Sequence, residues 1–91
     1  MIHGLGLNKD VWQWQIPALQ NDYYVISYDL YGHAQSLAPT EKPNLSMFSQ
    51  QLAGLMDFLE IDRATLVGFS LGGMIARRFA QNAPERTERL V

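Results

Sequence analysis

Apolar positions recur along this chain in two rhythms. Two runs are aromatic or β-branched and nearly continuous, Tyr23-Tyr24-Val25-Ile26-Ser27-Tyr28 and Thr65-Leu66-Val67, and each leads through a turn cluster into a stretch with helical spacing. After the first run, Phe48, Leu52, Leu55 and Leu59 fall at steps of four, three and four. That is one buried stripe of a helix, with Ser46 placed to cap it. After the second run, Leu71 to Asn82 reads as another helix, with Ile75, Ala76, Phe79, Ala80 and Ala83 on one face, Arg77 and Arg78 turned outward, and Pro84 as its stop. An earlier stretch, Val11 to Gln20, gathers Val11, Trp12, Ile16 and Leu19 on a broad face, with Asn8 or Asp10 as cap. Pro17 lies inside that span and weakens its second half.

Strands that alternate with helices of this length predict a parallel sheet, because a parallel neighbour is reached only through a crossover. An α/β chain with helix, sheet, helix layering is the expectation. Arg89-Leu90-Val91 opens one more apolar run, and Leu37 to Asn44 reads as an exposed loop holding Pro39 and Pro43. No repeat or low-complexity tract interrupts the 91 residues. A chain of that size buries about 60 to 65% of its unfolded surface, so a fold made by it alone is marginal.

Composition narrows the function. With a hydrophobic share of 47%, a net charge of −2 and a pI near 5.5, nothing marks a polyanion-binding face, so nucleic acid is not an expected partner. No apolar run has the roughly 18 to 20 residues of a membrane span. Met1-Ile2-His3-Gly4 lacks the basic head and apolar core of a signal peptide, and the absence of cysteine removes disulfides, thiol catalysis and thiolate metal sites. A cytoplasmic setting is the default expectation.

The chemistry concentrates in Gly68-Phe69-Ser70-Leu71-Gly72, set between the second β-rich run and the last helix. A serine that attacks a carbonyl needs its oxygen clear of the backbone and donors waiting for the oxyanion. An abrupt strand-to-helix bend meets the first need, and glycines two residues to either side give neighbouring backbone room to pass. A helix starting at the serine aims free N–H groups and its positive dipole end at the developing charge. Ser70 is the candidate nucleophile, and the Leu71 N–H the first oxyanion donor.

These features resemble the amino-terminal catalytic portion of a serine hydrolase of the α/β-hydrolase fold. His3-Gly4, opening a glycine-containing loop, resembles the His-Gly segment after that family's third strand. Tyr28-Asp29-Leu30-Tyr31-Gly32-His33-Ala34-Gln35-Ser36 resembles the loop after its fourth, and Gly68 to Gly73 its nucleophile elbow. The likeness covers nearly the whole chain. It implies a second oxyanion donor just after His-Gly, the N–H of Leu5 with Gly6 as the alternative, and an ester-like small-molecule substrate of the esterase or lactonase kind. Serine in place of aspartate at the elbow argues against the dehalogenase and epoxide-hydrolase branches. Carbon–carbon bond hydrolases and acyltransferases share the elbow and stay open.

The resemblance also implies roles for the histidines and acids. His33 matches a structural histidine and His3 braces the first loop, while Asp29, from its own place at a strand end, reads as a structural acid bonding the loop N–H groups behind it. A metal is not expected, since no His-x-x-x-His or comparable pairing exists, and no motif implies a cofactor. Trp12, Gln13 and Trp14 stand either as helix packing or as the rim of an apolar pocket. In the family the triad acid and then its histidine follow the serine, whereas Glu85 and Glu88 are the only acids after Ser70 and no histidine follows it. The chain is therefore expected to be a portion, residues 1–91, of a longer hydrolase and to be inactive alone. The rival is a non-catalytic chain that binds through incomplete sheet edges.

Two structural difficulties are expected. The family's third strand lies between the fourth and fifth, and only Met1-Ile2 correspond to it here. Tyr23–Tyr28 and Thr65–Phe69 should then face each other across a gap, with unpaired polar groups costing about 1 to 3 kcal/mol each if buried. Ala34 stands where the family has a second glycine and implies strain there if φ is positive.

Overall fold

The computed structural model describes residues 1–33 and 44–91, so Ala34 and most of the Leu37–Asn44 loop lie outside the described residues. In chain order the elements are a 3-10 turn (Lys9–Trp12), α1 (Ile16–Leu19), α2 (Leu45–Phe58), β1 (Ala64–Leu66), α3 (Leu71–Asn82), a second 3-10 turn (Pro84–Arg86) and β2 (Thr87–Leu90).

β1 and β2 pair in parallel, Ala64 opposite Thr87 and Leu66 opposite Leu90, and α3 is the crossover between them. On the other side of β1, Ile2 bridges in parallel to Gly68 and, with its opposite edge, to Tyr28. The Ile2 N–H donates to Val67 O at 2.8 Å, and its carbonyl accepts from Phe69 N at 3.0 Å. The Met1 amino group donates to Ile26 O at 2.9 Å. The expected gap is thus closed at one level, because one fully buried residue serves both neighbours.

The rest of the first β-rich run departs from expectation. Only Tyr28 of Tyr23–Tyr28 makes a bridge, and Tyr23 and Tyr24 are exposed. β propensity needs a partner along the strand to take effect, and Met1-Ile2 offers two residues against six.

α3 spans the residues its periodicity predicts, with Ile75, Ala76 and Phe79 buried. α2 also forms, but Asn44 caps it in place of Ser46: its Oδ1 accepts from Met47 N at 2.9 Å. Asn44 lies three residues before Met47, the spacing an N-cap side chain needs, and Ser46 is already inside the first turn. Met56, with Phe48 and Leu52, is the third large buried residue of α2, while Leu59 is half-buried beyond the helix end. That end is a Schellman turn, with Ile61 N donating to Met56 O at 2.8 Å and Glu60 N to Asp57 O at 3.1 Å, and Glu60 taking φ 59.

The predicted helix over 11–20 is instead two short pieces. Asn8 does cap the first, accepting from Asp10 N at 2.8 Å. Pro17 belongs to the first turn of α1, where its missing N–H costs nothing, so it starts a helix there. Val11, Trp12, Ile16 and Leu19 are half-buried.

α2 and α3 pack against each other and share one core with Ile2, Tyr28, Leu30 and Leu66. Among the described residues no helix is long and apolar enough to cross a membrane.

Candidate active site

The bend after β1 is a tight turn. Gly72 N donates to Phe69 O at 2.9 Å, and its first central residue, Ser70, holds φ 56 and ψ −115. Those angles match the first central position of a type II′ turn, which glycine ordinarily fills. A serine held there stores on the order of 1 to 3 kcal/mol, which the surrounding packing must impose. Ser70 is exposed and stands at the N-terminus of α3, where Met74 N donates to Ser70 O at 3.2 Å as the helix begins.

The flanking glycines are required by close backbone approach. A Cβ on Gly68 would overlap Gly72 O, and a Cβ on Gly72 would overlap Ile2 O. Gly73 is different, since a Cβ there would lie an ordinary 3.5 Å from Gly68 O. The contacts that enforce the bend therefore run through Gly68 and Gly72 to the lane of Ile2.

The first loop lies directly against this bend. A Cβ on Gly4 would sit 3.3 Å from Phe69 O and 3.4 Å from Ser70 Cβ. The loop turns as Leu7 N donates to Gly4 O at 3.1 Å, with Gly6 at φ 76 in the position where a type II turn needs glycine. Leu5 and Leu71 line one cavity of about 400 Å³ together with His33, Asn44, Leu45, Phe48 and Met74. Neither the Leu5 nor the Leu71 N–H is donated to a partner among the described residues. Gly6, the alternative donor, gives its N–H to His33 Nε2 at 3.0 Å.

Both histidines are tied to backbone. His3 is fully buried, with Nε2 accepting from Leu30 N at 3.0 Å and Nδ1 2.8 Å from Gly4 O. His33 Nδ1 lies 2.9 Å from Tyr31 O, so its second nitrogen is engaged as well. Asp29 is buried and reaches across to the first loop, where Oδ1 accepts from Lys9 N at 2.9 Å and Oδ2 pairs with Lys9 Nζ at 3.6 Å. Both of these partners belong to a residue 20 positions earlier in the chain.

Gln51 was not anticipated. Its Nε2 donates to Asp29 O at 3.0 Å and its Oε1 accepts from Tyr31 N at 3.1 Å, so α2 holds the backbone that carries His33. The signal was a polar residue at helical spacing between Phe48 and Leu55. Trp14 is exposed at 79% and Trp12 half-buried, and neither lines the cavity beside Leu5. Burial pushes the Tyr28 phenol well above its ordinary range. No group of three or more His, Asp or Glu among the described residues is arranged to hold a metal ion.

A parallel sheet whose strand reverses into a helix at a strained serine, with a glycine loop pressed against the bend, is the architecture of one fold class. The family model described as alpha/beta hydrolase fold matches residues 1–91, and the chain belongs to that family. It is 35% identical over 89 residues to 3-oxoadipate enol-lactonase 2 of Acinetobacter baylyi, covering 98% of this chain and 33% of that protein. Its fold superimposes on a hydrolase from Pseudomonas aeruginosa with a TM-score of 0.92 at 35% identity, covering 97% of this chain and 33% of the other. A variant of the meta-cleavage product hydrolase from Pseudomonas fluorescens, complexed with acetates, matches at a TM-score of 0.91 and 34% identity, over 97% of this chain and 34% of that one. The chain spans about a quarter to a third of the length of such curated relatives, 23% to 34%.

Proposed function

We propose that this chain carries the nucleophile elbow of a serine hydrolase that acts on an ester-like acyl group of a small molecule, of the esterase or lactonase kind. Ser70 Oγ attacks the acyl carbon, and the N–H groups of Leu5 and Leu71 hold the oxyanion as the carbonyl oxygen gains charge. Each donor is worth roughly 3 to 4 kcal/mol in such sites. The observation that carries this reading is the positive φ of Ser70 at the start of α3. Apolar side chains of Leu5, Leu45, Phe48, Leu71 and Met74 around the neighbouring cavity suit an acyl chain or ring.

The base and its orienting acid are supplied from outside residues 1–91. Both nitrogens of His3 and of His33 are engaged with backbone, which leaves neither ring a free acceptor for the Ser70 proton. The family order of serine, acid, histidine accords with this. Residues 1–91 alone turn over no ester beyond what an oxyanion site gives. A cytoplasmic setting is part of this proposal.

Fluorophosphonate labelling of the protein that carries this chain tests the assignment. The label is expected on Ser70, and Ser70→Ala should lower kcat by about 10⁴-fold or more. Full activity in that variant would overturn the reading. A Ser70 that resists the label in a protein without hydrolase activity would instead favour the rival of a non-catalytic binding chain.

A further inference from the structure

The two imidazoles lie with ring centres 5.1 Å apart, and their hydrogen bonds are reciprocal. His3, on the first loop, accepts at Nε2 from Leu30 on the second; His33, on the second loop, accepts at Nε2 from Gly6 on the first. Each bond spans 27 residues of sequence. An imidazole nitrogen that accepts carries no hydrogen, so in the neutral ring the hydrogen sits on the other nitrogen. Here each Nδ1 faces a carbonyl, Gly4 O at 2.8 Å and Tyr31 O at 2.9 Å, which can accept it. The hydrogen-bond partners therefore assign both rings to the same neutral Nδ1–H form.

This pairing bears on which amide of the first loop faces the elbow. Leu5, which lines the cavity, and Gly6, at φ 76 in the same turn, are the two donors that the family likeness offers on this loop. His33 removes Gly6 from the competition by taking its N–H. His3 holds the base of the same loop by bonding Gly4 O from one nitrogen and the second loop from the other.

We infer that His3 and His33 form a reciprocal clasp that positions the first loop and selects the Leu5 N–H, in place of Gly6, as oxyanion donor. The oxyanion part of this inference rests on the reading of Ser70 given above. Both histidines are positioning residues, acting through the backbone they hold. Because an oxyanion donor acts in the transition state more than in substrate binding, disturbing the clasp lowers kcat and leaves KM nearly unchanged.

Nitrogen-15 imidazole spectra of the unaltered protein test the clasp without any substitution. Both rings are expected as Nδ1–H tautomers, with the Gly6 and Leu30 amides slow to exchange. His33→Ala should speed Gly6 exchange and lower kcat toward an ester by about 10²-fold, the scale set by ångström-level misplacement. KM should stay within about twofold. His33→Gln, which keeps an acceptor at similar reach, should recover most of the loss. An Nε2–H tautomer in either ring, or unchanged Gly6 exchange in His33→Ala, overturns the clasp whether or not Ser70 is a nucleophile. A clasp seen by these spectra with kcat unaffected by His33→Ala, or in a protein whose Ser70 resists labelling, overturns its role in oxyanion placement.

Discussion

Residues 44–91 and residues 1–33 are held together by different means. In the first region the backbone satisfies itself locally: α2 closes with its own Schellman turn, α3 forms the crossover, and β1 pairs with β2. Arg86 ties the ends together by donating to Ile61 O at 2.7 Å and Asp62 O at 3.1 Å and pairing with Asp57 at 2.8 Å. In the second region regular pairing shrinks to the bridges of Ile2, and side chains take over. His3, His33, Asp29 and Gln51 each bond backbone of a segment far away in sequence. The region that presents Ser70 is therefore held by secondary structure, while the loop that carries Leu5 is placed by the side chains of His3, His33 and Asp29, with Gln51 bracing the loop that carries His33.

The largest effect on this comparison is expected at the seam between the regions. Gly72→Ala gains about 1 kcal/mol of helix propensity but drives a Cβ into Ile2 O, backbone against backbone. Overpacking of that kind outweighs the gain, and a net loss of about 2 to 3 kcal/mol is expected in chemical denaturation. Gly73→Ala, one residue on, meets only ordinary contacts and should be neutral or stabilising. If the two variants behave alike, the seam is not the tight point described here.

A smaller effect is expected from Asp29→Ala. It leaves Lys9 N–H without its acceptor and removes the Lys9 ion pair, a loss of about 1 to 3 kcal/mol. Hydrogen exchange should quicken in residues 4–12 and stay unchanged in α3. Equal quickening in both would show that the two regions open as one unit.

The smallest is a pH effect at the Met1 amino group, whose bond to Ile26 O anchors the first lane. Burial lowers its pKa from 8.0 to about 6, so the folded chain disfavours the charged form. Between those values the unfolded state binds more protons, and the contribution is present above pH 8.0 and lost as pH falls toward 6. The fall from 8.0 to about 6 caps the drop in stability of the 91-residue chain at about 2.7 kcal/mol across that window, and residual hydration of the partly buried amino group keeps it below that cap. A flat profile in thermal unfolding would mean that the amino group stays hydrated.

Where the controlling interactions are local, the residues themselves were enough. Ile75, Ala76 and Phe79 with Pro84 delimited α3, and the glycines around Ser70 marked the bend. Tyr23–Tyr28 carried as strong a β signal as Thr65–Val67, yet only the latter became part of a strand, because β2 lies beside it and two residues lie beside the other. Ser46 and Asn44 are both competent caps, and the choice turned on where the first helical residue fell. Gln51 had no local mark beyond a polar side chain amid an apolar stripe.

The order of residues by itself determined the α/β class, the helix that follows Ser70 and the serine's place on a strained bend, since each follows from rules acting over a few neighbouring positions. Tertiary structure alone decided which β-rich residues found partners, that Ile2 serves two lanes, and that Gly6 gives its N–H to His33 while the Leu5 N–H meets no partner among the described residues. Pairing and hydrogen bonding across 20 or more residues depend on where distant segments come to rest, and no local pattern encodes that position.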